Sequence, residues 1–199
     1  MIPELVDALT NNGKKVLSGV HTAVPGKIVS FDAEKGLAVV LPEMALKKKD
    51  GSKLSYPQIT GVPVVFPQSA GQQAAVVFPV KEGDGCLLVF AEKSIEPWLN
   101  GGESDTELDF DLSNAIAIPG LFNLSSEYIK EACQKDAVVI ARQNRKITIT
   151  SEKIIIDGDV QVNGKMTLTG DVIAAGISLD HHTHSGVEPG SGSTGQPKQ

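Results

Sequence analysis

Three histidines, His181, His182 and His184, stand almost side by side near the carboxyl end, and the chain's only other histidine is His21. Imidazoles in such a cluster can ligate a metal or move protons. In an extended strand alternate side chains share a face, so His182 and His184 project together from Cα atoms ~6.5 Å apart, close enough for two rings to reach one ion. Two ligands alone make a weak site. Three copies of the chain around an axis would supply six imidazole nitrogens. Zinc in proteins is nearly always tetrahedral, whereas six nitrogen donors suit iron(II), nickel or cobalt, and availability favours iron. The expectation is one Fe2+ per three chains, bound by His182 and His184, with His181 outside the pair as a solvent-facing or supporting residue. A hydrolytic metal centre would need an open coordination position and a further carboxylate. Asp180 and Glu188 are the nearest acids, but no Ser, Cys or His constellation elsewhere completes an active site, so no catalytic residue is assigned and no enzyme is expected.

The elements that must position these histidines are written as a repeat. Gly158, Gly164, Gly170 and Gly176 recur at a spacing of six. Ile156, Val162, Leu168 and Ala174 stand two residues before them, and Val160, Met166 and Val172 stand two residues after the first three. Each unit reads as a short strand and a tight turn with one narrow apolar face. The same alternation begins upstream in Lys146–Thr150 and Lys153–Ile156 with a seven-residue step from Ile147 to Ile154. A single ribbon of this kind cannot enclose its own apolar edge. Three copies would close a triangular β-prism and remove the exposed strand edges, which predicts an obligate homotrimer. A hexapeptide-repeat acyltransferase is the alternative repeat architecture, although those sequences carry the aliphatic residue directly before the small one and run over many more coils.

Upstream of the repeat the packing changes. All of the six Phe, two Tyr and one Trp lie between Phe31 and Tyr128. Large rings fill a thick core, whereas small and β-branched residues suit thin sheets, which places a boundary near residues 125–137. Five apolar runs bounded by Gly, Pro and Asp-Gly signals, Gly26–Phe31, Gly36–Leu41, Gly61–Phe66, Ala74–Val80 and Cys86–Phe90, predict a five-stranded oligonucleotide/oligosaccharide-binding (OB) barrel. Leu5, Val6 and Leu9 predict a short N-terminal helix, an arm, stopped by Asn11-Asn12-Gly13. The expected organisation is an arm over 1–21, an OB domain over 22–124, a linker over 125–136, a trimeric β-helix spike over 137–180, and a metal-binding tip with its tail over 181–199. The fold class is all-β.

Composition narrows the function further. The net charge of −6 opposes binding to polyanions, so no nucleic-acid partner is expected. An OB-fold nucleic-acid binder with an oligomerising tail stays as the competing reading, but Phe66, Phe78 and Phe90 lie in apolar runs that suggest core rather than stacking platforms. Two cysteines, Cys86 and Cys133, support neither a disulfide framework nor a cysteine metal site. The Lys47–Gly51 tip reads as a solvated turn. The acidic stretch from Glu103 to Asp111 fails as a calcium loop, because an EF-hand frame from Asp105 puts Phe110 at position six and Ile116 at position twelve. No apolar run spans a bilayer, and Glu4 and Asp7 sit where a signal peptide carries positive charge, so a soluble chain is expected.

The combination resembles the central spike of contractile-tailed phages, the membrane-puncturing protein of the baseplate-assembly-protein-V type. Gly83–Ser94 followed by Trp98 is similar to the end of that family's OB domain, and Asp111–Gly120 is similar to its exit. His182-Thr183-His184-Ser185-Gly186 after the repeat resembles the apex motif whose paired histidines bind one iron per trimer. The resemblance implies a virion protein at the tail baseplate tip, assembled in the host cytoplasm. It also implies OB domains held by the tail tube or baseplate hub, and a metal-tied prism that pierces the host outer membrane when the sheath contracts. Some related spikes carry a lysozyme domain, for which the interval between barrel and repeat is too short.

Overall fold

The computed structural model describes residues 2–17, 19–48, 50–103, 108–186 and 190. Lys49, Asp105, Glu107, Glu188 and residues 191–199 of the tail, all noted in the sequence, lie outside them. Two compact units are present, Met1–Glu127 and Tyr128–Gln199.

The first unit begins with helix α1 (Ile2–Leu17). It runs through Asn11-Asn12-Gly13, where the sequence predicts a stop. A glycine in a helix interior costs only about 1 kcal/mol relative to alanine, and Lys14 and Lys15 in the last turn favour continuation at the helix's negative pole. There follow β1 (Ala23–Asp32), β2 (Leu37–Pro42), β3 (Ala45–Lys47), β4 (Lys53–Ser55), β5 (Ile59–Pro63), β6 (Gln68–Ser69), β7 (Ala74–Ala75) and β8 (Gly85–Phe90). A short helix α2 (Glu96–Asn100) then leads to β9 (Ala115–Pro119). The antiparallel sheet has the order β5-β2-β1-β8-β9. Just beyond β5, Val64 bridges Ala117 in parallel and the Val65 N–H donates to the Ala117 carbonyl at 3.0 Å, which draws the two edges together. This connectivity is that of the OB-fold.

Alternation decides which side chains enter the barrel. Val24 and Ile28 of β1, Ala38 and Val40 of β2, Cys86, Leu88 and Phe90 of β8, and Ala115 and Ala117 of β9 all point inward with Ile59 and Val62 of β5. Pairing shifts between Ile28 and Ser30, and the bulge bends β1 so that it can pair with β2 on one side and β8 on the other. Gly26 fits because a Cβ there would stand 2.8 Å from Val40 Cγ1 and 3.2 Å from Cys86 Sγ.

The fifth strand is not the one predicted. Ala74–Val80 contributes only the two-residue β7, and Val76, Val77 and Phe78 are exposed. Pro79 removes a ladder donor, and a run of consecutive apolar residues offers no inside and outside. Ala115–Pro119 supplies the strand instead, its small alanines inward and its isoleucines outward.

The second unit opens one residue into helix α3 (Glu127–Lys135), where the sequence predicts a linker, and continues with β10 (Val138–Arg142), β11 (Arg145–Ile149) and β12 (Ile154–Asp157) as an antiparallel meander. The Glu131 carboxylate accepts from Lys135 Nζ at 2.7 Å and from Lys146 Nζ of β11 at 2.6 Å, and Tyr128 Oη donates to the Gln143 carbonyl at 2.7 Å. These bonds fasten α3 to the meander. Residues 158–172, all described, enter no strand pair, and the unit ends in a hairpin of β13 (Ile173–Ala174) and β14 (Ile177–Ser178).

Candidate metal centre

The hairpin that carries the histidines turns through Ala175 (φ 50°) and Gly176 (φ 84°). Two consecutive residues at positive φ make the tight two-residue turn whose twist matches antiparallel strands, and glycine adopts it without a steric cost. The hairpin is tied back to the last repeat. The Leu179 N–H donates to the Val172 carbonyl at 2.8 Å, and the Asp180 N–H donates to Asp171 Oδ1 at 3.1 Å. The Ser178 hydroxyl and then the Asp180 N–H hold the Asp171 carboxyl below the usual aspartate range, so this acid serves as a strap for the backbone.

Beyond the hairpin the structure brings His182 and His184 together. Their ring centroids are 5.1 Å apart and the planes are nearly perpendicular, at 82°. His182 Nδ1 lies 3.0 Å from both the Ser178 and the Leu179 carbonyl oxygens. Carbonyls only accept, so Nδ1 carries the proton and Nε2 presents its lone pair away from the backbone. That is the arrangement metal-ligating histidines use, with one nitrogen oriented by a backbone carbonyl and the other free. The two rings therefore fit a shared ion in donor type and proximity, and His182 also in tautomer. Backbone carbonyls leave no signature in a sequence, so the anchoring of His182 could not be read from it.

His181 does not join the pair. Its backbone N–H donates to Ser178 Oγ at 2.8 Å, its Nδ1 lies 3.4 Å from the same oxygen, and Asp180 Oδ2 is 3.8 Å away. His21 is part of the first unit, half-buried between Tyr56 and Phe90 with centroid distances of 5.7 and 5.6 Å. Of the three phenylalanines assigned to core packing, Phe90 is in the core, whereas Phe78 is exposed and meets Phe66 edge-on at 5.1 Å.

The surface leading to the tip is aliphatic and uncovered. α3 lies over the face of the meander that holds Lys146 and the buried Thr148. On the other face the register sets Ile140 and Ile156 beside Ile147, and Val138 and Ile154 beside Ile149. All six of these are exposed, and so are Val160, Val162, Met166, Leu168, Ile173, Ile177 and Leu179 along the repeat. Exposed apolar patches of this extent mark interaction surfaces.

Comparison with protein families gives two matches. Residues 24–120 match the model described as the phage protein Gp138 N-terminal domain, and residues 176–198 match the GpV apex motif. The first covers nearly all of the barrel, from within β1 to the end of β9, and the second opens on the hairpin glycine and takes in His182 and His184. Among the curated proteins none matches the chain.

Proposed function

We propose a mechanical role for this chain, which, with a Gp138 N-terminal domain and a GpV apex motif, is a central-spike protein of the phage tail baseplate, of the gpV type. As a structural protein of the virion tail it associates with other baseplate components. Three copies pack their aliphatic surfaces into a closed prism. The barrels are held by the tail tube or hub, and the prism and its tip pierce the host outer membrane when the sheath contracts. The force comes from the sheath, and the chain supplies stiffness.

The observation that carries this reading is the uncovered aliphatic surface from Val138 to Leu179. Residues 158–171 enter no strand pair inside the chain, and neighbouring copies can offer their backbone groups partners while covering the aliphatic side chains. Each chain carries −6, so a trimer carries three times that, −18. A closed prism of that charge stays soluble and resists sticking to anionic surfaces before contraction.

At the tip, His182 and His184 of three chains would hold one iron(II) ion. When bound, the ion supplies a cross-link among three chain ends that would otherwise fray. The chain's own part is to fix the His182 ring through the Ser178 and Leu179 carbonyls and to keep His184 beside it. The test is elemental analysis of the native protein and of a His182→Ala, His184→Ala double variant. About one iron per three chains is expected in the first and none in the second, with trimer and overall melting temperature retained. Native protein free of iron, or a double variant that keeps it, overturns the assignment.

A further inference from the structure

Helix α1 contributes no side chain to the barrel core. Every side chain from Pro3 to Leu17 is exposed, including Leu5, Val6, Leu9, Val16 and Leu17. A helix of this length is marginal in water unless an apolar face is covered. Leu5, Leu9, Asn12 and Val16 follow one another at steps of four, three and four, the spacing that keeps a seam toward another helix. Val6, Gly13 and Leu17 flank the seam on one side, and Asp7 and Lys14 lie on the opposite face.

We propose that α1 forms a parallel three-helix bundle with the α1 helices of two other copies, a second trimer contact separate from the prism. This rests on the trimer proposed above, since three-fold symmetry requires the helices to run parallel. Asn12 argues for identical partners: its amide both donates and accepts, so three copies can satisfy one another around an axis. Charge argues against a lipid surface, because Glu4 and Asp7 balance Lys14 and Lys15 and no basic face is present. Area is sufficient. Five apolar side chains per copy, at ~60–120 Å2 each, give on the order of 900–1,800 Å2 over three copies, within reach of the ~1,200–2,000 Å2 of stable interfaces.

The test uses the full chain with Cys133→Ser and a single new cysteine, Leu9→Cys on the seam or Asp7→Cys on the outer face. Each is mildly oxidised and run without reductant after its mass in solution is measured. The expected result is a trimer in which Leu9→Cys forms linked dimers roughly tenfold or more faster than Asp7→Cys, because the seam raises the effective thiol concentration. A trimer in which both positions link equally slowly overturns the bundle and leaves the prism standing, and this is also what a helix seated in another baseplate protein would give. A folded monomer overturns both.

Discussion

Ile140 offers a sharp separation between a chain that is complete by itself and one that needs its copies. It sits in the middle of β10 beside Ile147 on the face that α3 does not cover, and 60% of it is exposed. In a self-sufficient chain, Ile140→Asp is a surface change worth no more than about 0.5 kcal/mol, and it improves solubility. In the prism the same change buries three carboxylates near one axis. Each such charge costs several kcal/mol after relaxation, and three like charges also repel. The six aliphatic residues of this face leave roughly three side chains' worth of surface uncovered, so closing the prism contributes ~5–9 kcal/mol per chain there. One buried carboxylate per chain, with the isoleucine burial lost and the repulsion among the three copies, would offset most of that. Sedimentation velocity should find the variant dissociated or aggregated at concentrations where the native protein is trimeric, while Ile140→Val, a loss of ~0.5–1.5 kcal/mol per chain, stays trimeric. A trimeric Ile140→Asp protein with an unchanged melting temperature refutes the reasoning.

Two further outcomes follow from single groups. Hydrogen bonds from Lys135 and then Lys146 hold the Glu131 carboxyl below its ordinary value of 4.5, so its contribution is present above that value and lost as pH falls through the lower folded one; the protection of α3 amides, relative to their intrinsic exchange rates at each pH, should fall on acidification below 4.5, and Glu131→Gln should abolish that acid step. Burial pushes the Cys86 thiol up to about 11, whereas Cys133 is exposed, so alkylation of the native protein at pH 8 should modify one thiol per chain by mass spectrometry, and rapid modification of both would mean that the barrel core is open.

Much of the barrel was legible because burial and alternation coincide in it. Cys86–Phe90 and Gly36–Leu41 read as strands from their own patterns, and the structure places them inside the sheet on either side of β1. Ala74–Val80 misled because apolar content without alternation, next to a proline, does not make a strand. Ala115–Pro119 was legible only as an exit segment, since alanine is a weak sign of a core that has no room for more. The helix Glu127–Lys135 has no long apolar stripe to announce it; its signals are the serines ahead of an acidic first turn and the lysine in its last. At the tip, the His182 and His184 spacing gave the proximity of the two rings. The carbonyls that orient one of them and the strap from Asp171 belong to the folded hairpin, and no residue type announces them.

Sedimentation equilibrium of the full chain, with iron measured on the same sample, tests the central claim most directly. The account predicts a particle of three times 21.0 kDa containing one iron. A well-folded 21.0 kDa species without metal would contradict it.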